Sequence, residues 1–344
     1  MNKKQLKLGA MLLLGIGLTG LQAQPAQKFT DPKCDYLGQP LPGETPVVFA
    51  PGIVSTANTI EHGSPTFSPD GNEVFWQTNR FVNGEKTRSI FGMSMRRVGG
   101  KWTVPEISSY DSSPFFSPDG NRLYFLPIGP EKGETNGPYF VEKKGNGWSE
   151  PKCLGLIARF PELRFVYCHS LTRNGTLYFL GYLEGVRGNF GIYRSELVNG
   201  EYVKPELLPP SINAPGGNTI NWTPFIAPDE SYLLFSSNRC NPDTDAGDLY
   251  ACFRQLDGSW TDAVSLSATI NSSQQERFPA VSPDGKYLFF TRWVSDDNED
   301  VFWVSAEIIG ELKAKVIQEK LLKKPSKAAG GKYGVTPEDK IGRT

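Results

Sequence analysis

The feature that most constrains this chain is the pentapeptide Phe67-Ser68-Pro69-Asp70-Gly71, because it recurs at a long fixed period. It returns unchanged at residues 116–120 and as Val-Ser-Pro-Asp-Gly at 281–285. Degraded copies read Leu-Thr-Arg-Asn-Gly at 171–175 and Ile-Ala-Pro-Asp-Glu at 226–230. The second residue of each copy stands at 68, 117, 172, 227 and 282, giving steps of 49, 55, 55 and 55. Self-similarity of this length marks a repeat architecture and must be read before any local pattern.

Superposing the copies gives a four-part unit. A first strand ends in the pentapeptide, preceded by Pro65, Pro114, Pro224 or Pro279. Pro presets φ, Asp bonds the following backbone and Gly accepts positive φ, so Pro-Asp-Gly is a turn. The third copy, which lacks both Pro and Asp, is the weakest turn. An alternating, aromatic-rich second strand follows (73–78, 122–126, 176–180, 232–236, 287–291), then a variable loop and a third strand. A Gly-containing turn leads to an aromatic residue that opens a fourth strand at Trp102, Trp148, Tyr202 or Trp260. These Trp residues repeat with the unit, so they are core between sheets. Four short strands per unit, each sheet apolar on both faces, predict an all-β, five-bladed β-propeller of four-stranded blades. Six blades are the alternative.

The fifth unit lacks a fourth strand, because residues 310–315 are weak and charged, whereas residues 47–55 (VVFAPGIVS) supply one strand too many at the other end. The expectation is that the N-terminal strand closes the ring as the outer strand of the last blade. The domains expected are a signal peptide at 1–23, an extended surface leader at 24–45, the propeller at 46–314 and a basic tail at 315–344. The signal reading rests on Lys3, Lys4 and Lys7 ahead of the apolar run 8–21 and on the exit Leu21-Gln22-Ala23. That run is too short and wrongly flanked to span a membrane, and no second long apolar stretch follows. The expected protein is exported, periplasmic or secreted. A short helix at 311–323, ending before Pro325, is compatible with the start of the tail.

A formal net charge of −1 gives no electrostatic case for nucleic acid or a membrane surface. Five cysteines are an odd number for an oxidising compartment. Cys240 with Cys252, or Cys153 with Cys168, could form a disulfide and leave Cys34 over; buried free thiols fit equally well.

The recurring Ser-Pro-Asp-Gly turn, an aromatic second strand ending in Asn79-Arg80 or Asn238-Arg239, and Asp248-Leu249-Tyr250 together resemble the WD40-like β-propeller repeat of TolB-type periplasmic proteins. The likeness covers about residues 36–312. It implies the propeller fold and an exported location. TolB-type proteins carry six such repeats and an added N-terminal domain. With five repeats and no such domain here, their envelope role is not carried over.

Fold does not fix function, so the site must be sought in residues that do not repeat. Those just before each first strand crowd one mouth of a propeller's channel. The candidate ligand-binding set there is Glu61, His62, Asp111, His169, Trp222, Glu276 and Arg277, and it includes both histidines of the chain. A mixture of carboxylates, His, Arg and Trp suits a polar small ligand. It equally suits side chains that satisfy one another and plug the channel. The leading expectation is a non-catalytic propeller that binds a protein, peptide or glycan through one face, as a monomer or in an envelope complex. The alternative is a glycoside-active enzyme using Glu61, Asp111 and Glu276, since paired carboxylates flank a scissile glycosidic bond. No Gly-x-Ser-x-Gly elbow with downstream Asp and His is present. Asn241, Asp243, Asp245 and Asp248 space oxygen ligands as a Ca²⁺ loop does, without the frame or terminal Glu of an EF-hand.

Overall fold

The computed structural model describes residues 35–57, 59–82, 85–110, 112–127, 137–184, 190–215, 219–242 and 247–323. The expected signal peptide, the leader before residue 35 and the tail beyond residue 323 lie outside the described residues.

Among the described residues five antiparallel sheets of four or five strands follow one another along the chain, and each is one blade of a propeller. The inner strands are Thr66–Phe67, Ser112–Phe116, Leu163–Leu171, Asn221–Ile226 and Glu276–Val281. Each pairs with a second strand (Glu73–Val82, Arg122–Leu126, Leu177–Leu183, Tyr232–Ser237, Tyr287–Ser295). The second strands pair in turn with third strands Glu85–Val98, Tyr139–Lys144, Phe190–Ser195, Asp248–Phe253 and Asn298–Ser305.

The pentapeptide is a turn, as its residues require. In the first copy the Ser68 hydroxyl donates to Asp70 at 2.5 Å and accepts from the Glu73 amide at 2.9 Å, while Gly71 takes φ 69°. Burial pushes the Asp70 carboxyl up, but hydrogen bonds from Ser68 and Asn72 outweigh it and hold the group below its usual range. The third copy makes the same turn: Thr172 replaces Ser, Asn174 replaces Asp, and the Thr176 amide donates to Thr172 Oγ1 at 2.9 Å. Thr and Asn supply the same hydroxyl and carbonyl oxygens, so this copy is not weak after all.

The fourth strands are shorter and lie further along than expected. Trp102 and Trp148 sit in two-residue hairpins on the third strands. The outer strands proper are Glu106–Ile107, Lys152–Cys153 and Glu206–Leu207. Pro105, Pro151 and Pro205 stand between the two pieces, and a residue without an N–H interrupts the ladder there. The fourth blade ends in Val264–Ser265.

The fifth blade is completed by the N-terminus. Val47–Val48 pairs antiparallel with Asn298–Ser305, Val47 opposite Trp303 and Val48 opposite Phe302. The closing strand is two residues long, because Ala50-Pro51-Gly52 turns the chain back on itself. The leader is not a plain surface segment. Tyr36 and Leu37 form a 3₁₀ turn whose side chains are buried. The Tyr36 ring packs 5.0–5.6 Å from those of Tyr287, Phe67 and Trp303. Asp35 secures the turn from outside by accepting from Trp102 Nε1 at 2.7 Å and pairing with Arg97 at 3.1 Å. At the other end, helix Glu307–Lys323 begins four residues earlier than expected and packs Ile309 and Val316 against the fourth and fifth blades.

Tyr36 therefore belongs to the seam that closes the ring. Tyr36→Ala is expected to cost about 3–5 kcal/mol in a denaturant melt. Leu41→Ala, at a position 63% exposed, is expected to stay within about 0.5 kcal/mol.

Candidate functional site

Counting back from each pentapeptide separates the expected mouth residues into layers. Asn221 and Glu276, six residues before the second pentapeptide residue, are fully buried. Both are held the same way. Arg239 donates to Asn221 Oδ1 at 2.8 Å and to the Ile212 carbonyl; Arg292 donates to Glu276 Oε1 at 2.8 Å and to the Ile270 carbonyl. Glu276 thus stands where the preceding blade has a neutral Asn. Its Oε1 is also capped by the Ser272 hydroxyl at 2.6 Å. Burial nevertheless raises its pKa.

Glu61, seven residues before Ser68, takes the corresponding place in the first blade. Its amide donates to the Glu299 carbonyl, as that of Glu276 does to Gly247. Its side chain is wholly buried, with the hydroxyls of Thr59 and Thr78 at 2.5 and 3.0 Å from Oε1. Burial pushes its carboxyl up to about 8, and the neighbouring Asp300 and Glu299 add to the rise. Glu299, itself 1% exposed, accepts from Thr291 and lies 3.2 Å from His62 Nδ1. It was missed as a site residue because it reads as one more acid in the run 296–300. Asp111 lies outside the described residues.

One position further on, side chains reach the mouth. His62, Trp222 and Arg277 are all half-buried. The Arg277 guanidinium lies 5.9 Å from the Trp222 ring, and His62 meets Phe278 edge-on at 4.6 Å. The surface therefore runs from His62 through Phe278 and Arg277 to Trp222, across blades one, five and four.

Deeper in, the inner strands bulge. Register shifts fall between Ser112 and Phe115, Tyr167 and Ser170, Trp222 and Phe225, and Arg277 and Ala280. Ser113, Thr223 and Phe278 take φ of 48°, 53° and 51° there, a region costly for non-Gly residues. Hydroxyls stitch neighbouring bulges together. Thr223 Oγ1 accepts from the Phe278 amide at 3.2 Å, Ser170 Oγ accepts from the Ile226 amide at 3.0 Å, and Ser64 donates to the Phe278 carbonyl. Gln77 Oε1 accepts from the Ser113 amide at 2.7 Å. A Cβ on Gly63 would fall 3.0 Å from Gln77 Nε2, so a larger residue here would push on the Gln77 side chain.

These bulges surround an axial cavity of about 70 Å³. His169 lines it, apart from the rest of the expected set. It is 4% exposed, and burial pushes its imidazole down to about 4. Of the expected set, His62, Trp222 and Arg277 lie together at the mouth, Glu61 and Glu276 are buried behind them, and His169 lines the cavity.

The other expectations resolve simply. Cys240 and Cys252 are free thiols rather than a disulfide, the Tyr250 hydroxyl lying 2.8 Å from Cys240 Sγ. Cys34 and the Cys168 side chain lie outside the described residues, as do Asp243 and Asp245 of the expected Ca²⁺ loop. Asp248 opens a third strand opposite Ser237. Among the described residues no group of three or more His, Cys, Asp or Glu could hold a metal ion. No described helix is long and apolar enough to cross a membrane.

No family model and no curated protein matches the chain. Among solved structures it is similar to an oligogalacturonate lyase from Vibrio parahaemolyticus (12% identity, TM-score 0.40), covering 72% of this chain and 66% of the lyase. It is also similar to Trypanosoma rangeli sialidase in complex with sialic acid (12%, 0.40; 81% and 62%) and to a prolyl endopeptidase (14%, 0.35; 70% and 33%). The chain thus spans two thirds or less of each of these proteins. At these identities the likeness concerns the β-propeller fold alone.

A protonated Glu61 has a signed consequence. The folded state keeps a proton that the unfolded chain loses near pH 4.5. This contribution is therefore full below that pH and is lost as pH rises through about 8, at about 1.4 kcal/mol per pH unit. Melting temperature is expected to fall over this window, and Glu61→Gln is expected to flatten the fall.

Proposed function

We propose that this protein is an exported, non-catalytic propeller that binds a glycan, peptide or protein segment at the mouth formed by His62, Phe278, Arg277 and Trp222. The observation that supports this reading most is the separation of the layers. The carboxylates sit inside with 0% exposure, whereas an aromatic ring, a guanidinium and an imidazole are left at the surface. Trp and Arg are enriched among the side chains that anchor partners, Trp through the area of a rigid ring and Arg through a planar fork of donors. Export rests on the basic and apolar N-terminal run, and on the likeness of the repeats to WD40-like, TolB-type propellers.

A glycoside-active enzyme has one observation in its favour. A carboxyl raised to about 8 is protonated at neutral pH, as a general acid must be. Yet Glu61 is enclosed by Thr59 and Thr78, and Glu276 is bound to Arg292. Neither is exposed to a glycosidic oxygen, and a general acid must come within hydrogen-bond reach of the atom it protonates.

The test is a binding screen of the purified protein against glycans and peptides, followed by calorimetry and product analysis. Trp222→Ala is expected to weaken the bound ligand by roughly tenfold or more, about 1.4 kcal/mol, with no turnover. Turnover that Glu61→Gln abolishes would establish the enzyme instead.

A further inference from the structure

The axial cavity holds an exception to the repeat. Three residues before the second pentapeptide residue, four of the five inner strands carry proline: Pro65, Pro114, Pro224 and Pro279. The third strand carries His169. A proline there has no side-chain polarity to satisfy; a histidine has two ring nitrogens. In the structure neither Nδ1 nor Nε2 of His169 has a hydrogen-bond partner among the described atoms, although the residue is 4% exposed. Its ring is T-shaped to those of Phe115 at 6.5 Å and Tyr124 at 6.0 Å. Gln77 lines the same cavity at 1% exposure, its oxygen engaged by Ser112 and Ser113 and its Nε2 without a partner. Buried polar groups left unpaired cost about 1–3 kcal/mol each, so two in one cavity point to something that occupies it.

We propose that this cavity receives the hydroxyl-bearing end of an uncharged sugar entering from the mouth. This inference rests on the reading of the mouth as a ligand-binding face and names the class of ligand. A neutral imidazole offers one donor and one acceptor, and the Gln77 amide offers two N–H donors. A hydroxyl both donates and accepts, and so can satisfy each of them. A carboxylate or phosphate only accepts and would face the bare imidazole nitrogen; an ammonium only donates and would face the amide. Among the described residues no Lys, Arg, Asp or Glu lines the cavity, whose remaining walls include Pro114, Phe115, Pro224, Phe225 and Pro279. Such walls suit the C–H faces of a sugar and would leave an ion desolvated. Burial keeps His169 uncharged at neutral pH, consistent with this choice. The size, about 70 Å³, admits a small terminal group such as a hydroxymethyl arm and not a whole ring, so the ring would rest on the mouth beside Trp222.

The chain contains two histidines, so a long-range ¹H–¹⁵N spectrum resolves two imidazoles, and His169→Phe assigns them. Neutral mono- and disaccharides, their uronic acid counterparts and a set of short peptides are titrated at neutral pH. The expected result is a saturable shift of the His169 ring nitrogens with a neutral sugar, the ring remaining uncharged. His169→Phe, which keeps an apolar contact with Phe115 and Tyr124, is expected to keep or raise the melting temperature and weaken that sugar by roughly tenfold or more. If His169→Phe fails to fold, the titration of the unaltered protein still decides. A neutral sugar that binds without moving His169, while Trp222→Ala weakens it, overturns the axial site and leaves the mouth reading standing. Binding of uronic acids or peptides alone overturns the sugar class. Absence of any saturable effect, with water the only occupant, overturns both readings.

Discussion

Every sheet of this molecule is apolar on both faces, and no sheet is stable until it has a neighbour on each side. The first and last blades meet at one seam, where Phe49, Phe67, Phe289 and Trp303 are buried together. The chain holds that seam with an N-terminal segment that crosses it: Val47–Val48 hydrogen-bonds to the last blade, and Tyr36 plugs the gap between the blades. Burial of each large apolar side chain contributes roughly 1.5–3 kcal/mol. Several such groups on one short segment approach the net stability of a typical domain, about 5–15 kcal/mol.

Closure also fixes the site. Once the ring is shut, five inner strands converge on the axis, where there is no room for five regular strands side by side. The bulges, the three residues with positive φ and the hydroxyl bridges between blades are the local answer to that crowding. They leave a narrow axial cavity instead of a wide channel. The mouth beside it is built from His62, Trp222 and Arg277, each one position along the chain from a buried polar residue. A ligand that gains area at the mouth and polar contacts below it would use both layers.

The propeller, its blade number and the closing strand were legible in the sequence because each follows from a period, and a period needs no knowledge of contacts. The third pentapeptide was misjudged for a different reason: Thr and Asn conserve the hydrogen-bonding atoms of Ser and Asp while changing the letters. Buried Tyr36 could not be read from a Pro- and Gly-rich leader with no pattern. At the candidate site, the repeat points to the positions just before each copy but does not give their depth. Adjacent residues on a strand point to opposite faces, so Glu276 and Arg277 differ in role despite being neighbours, and Glu61 and His62, just ahead of the first inner strand, differ in burial likewise. The one available signal lay in the register. Asn221 at the place of Glu276 argues that the carboxylate is structural, and His169 at the place of a recurring proline marks the one copy that departs from the repeat there.

The claim on which the rest stands is that residues before 56 are part of the ring. It is tested most directly by the thermal melt of a chain beginning at residue 56, followed by circular dichroism beside the full protein. Closure by the N-terminal segment predicts a non-cooperative transition, or one lowered by more than about 10 °C. A melt that coincides with that of the full chain would contradict it.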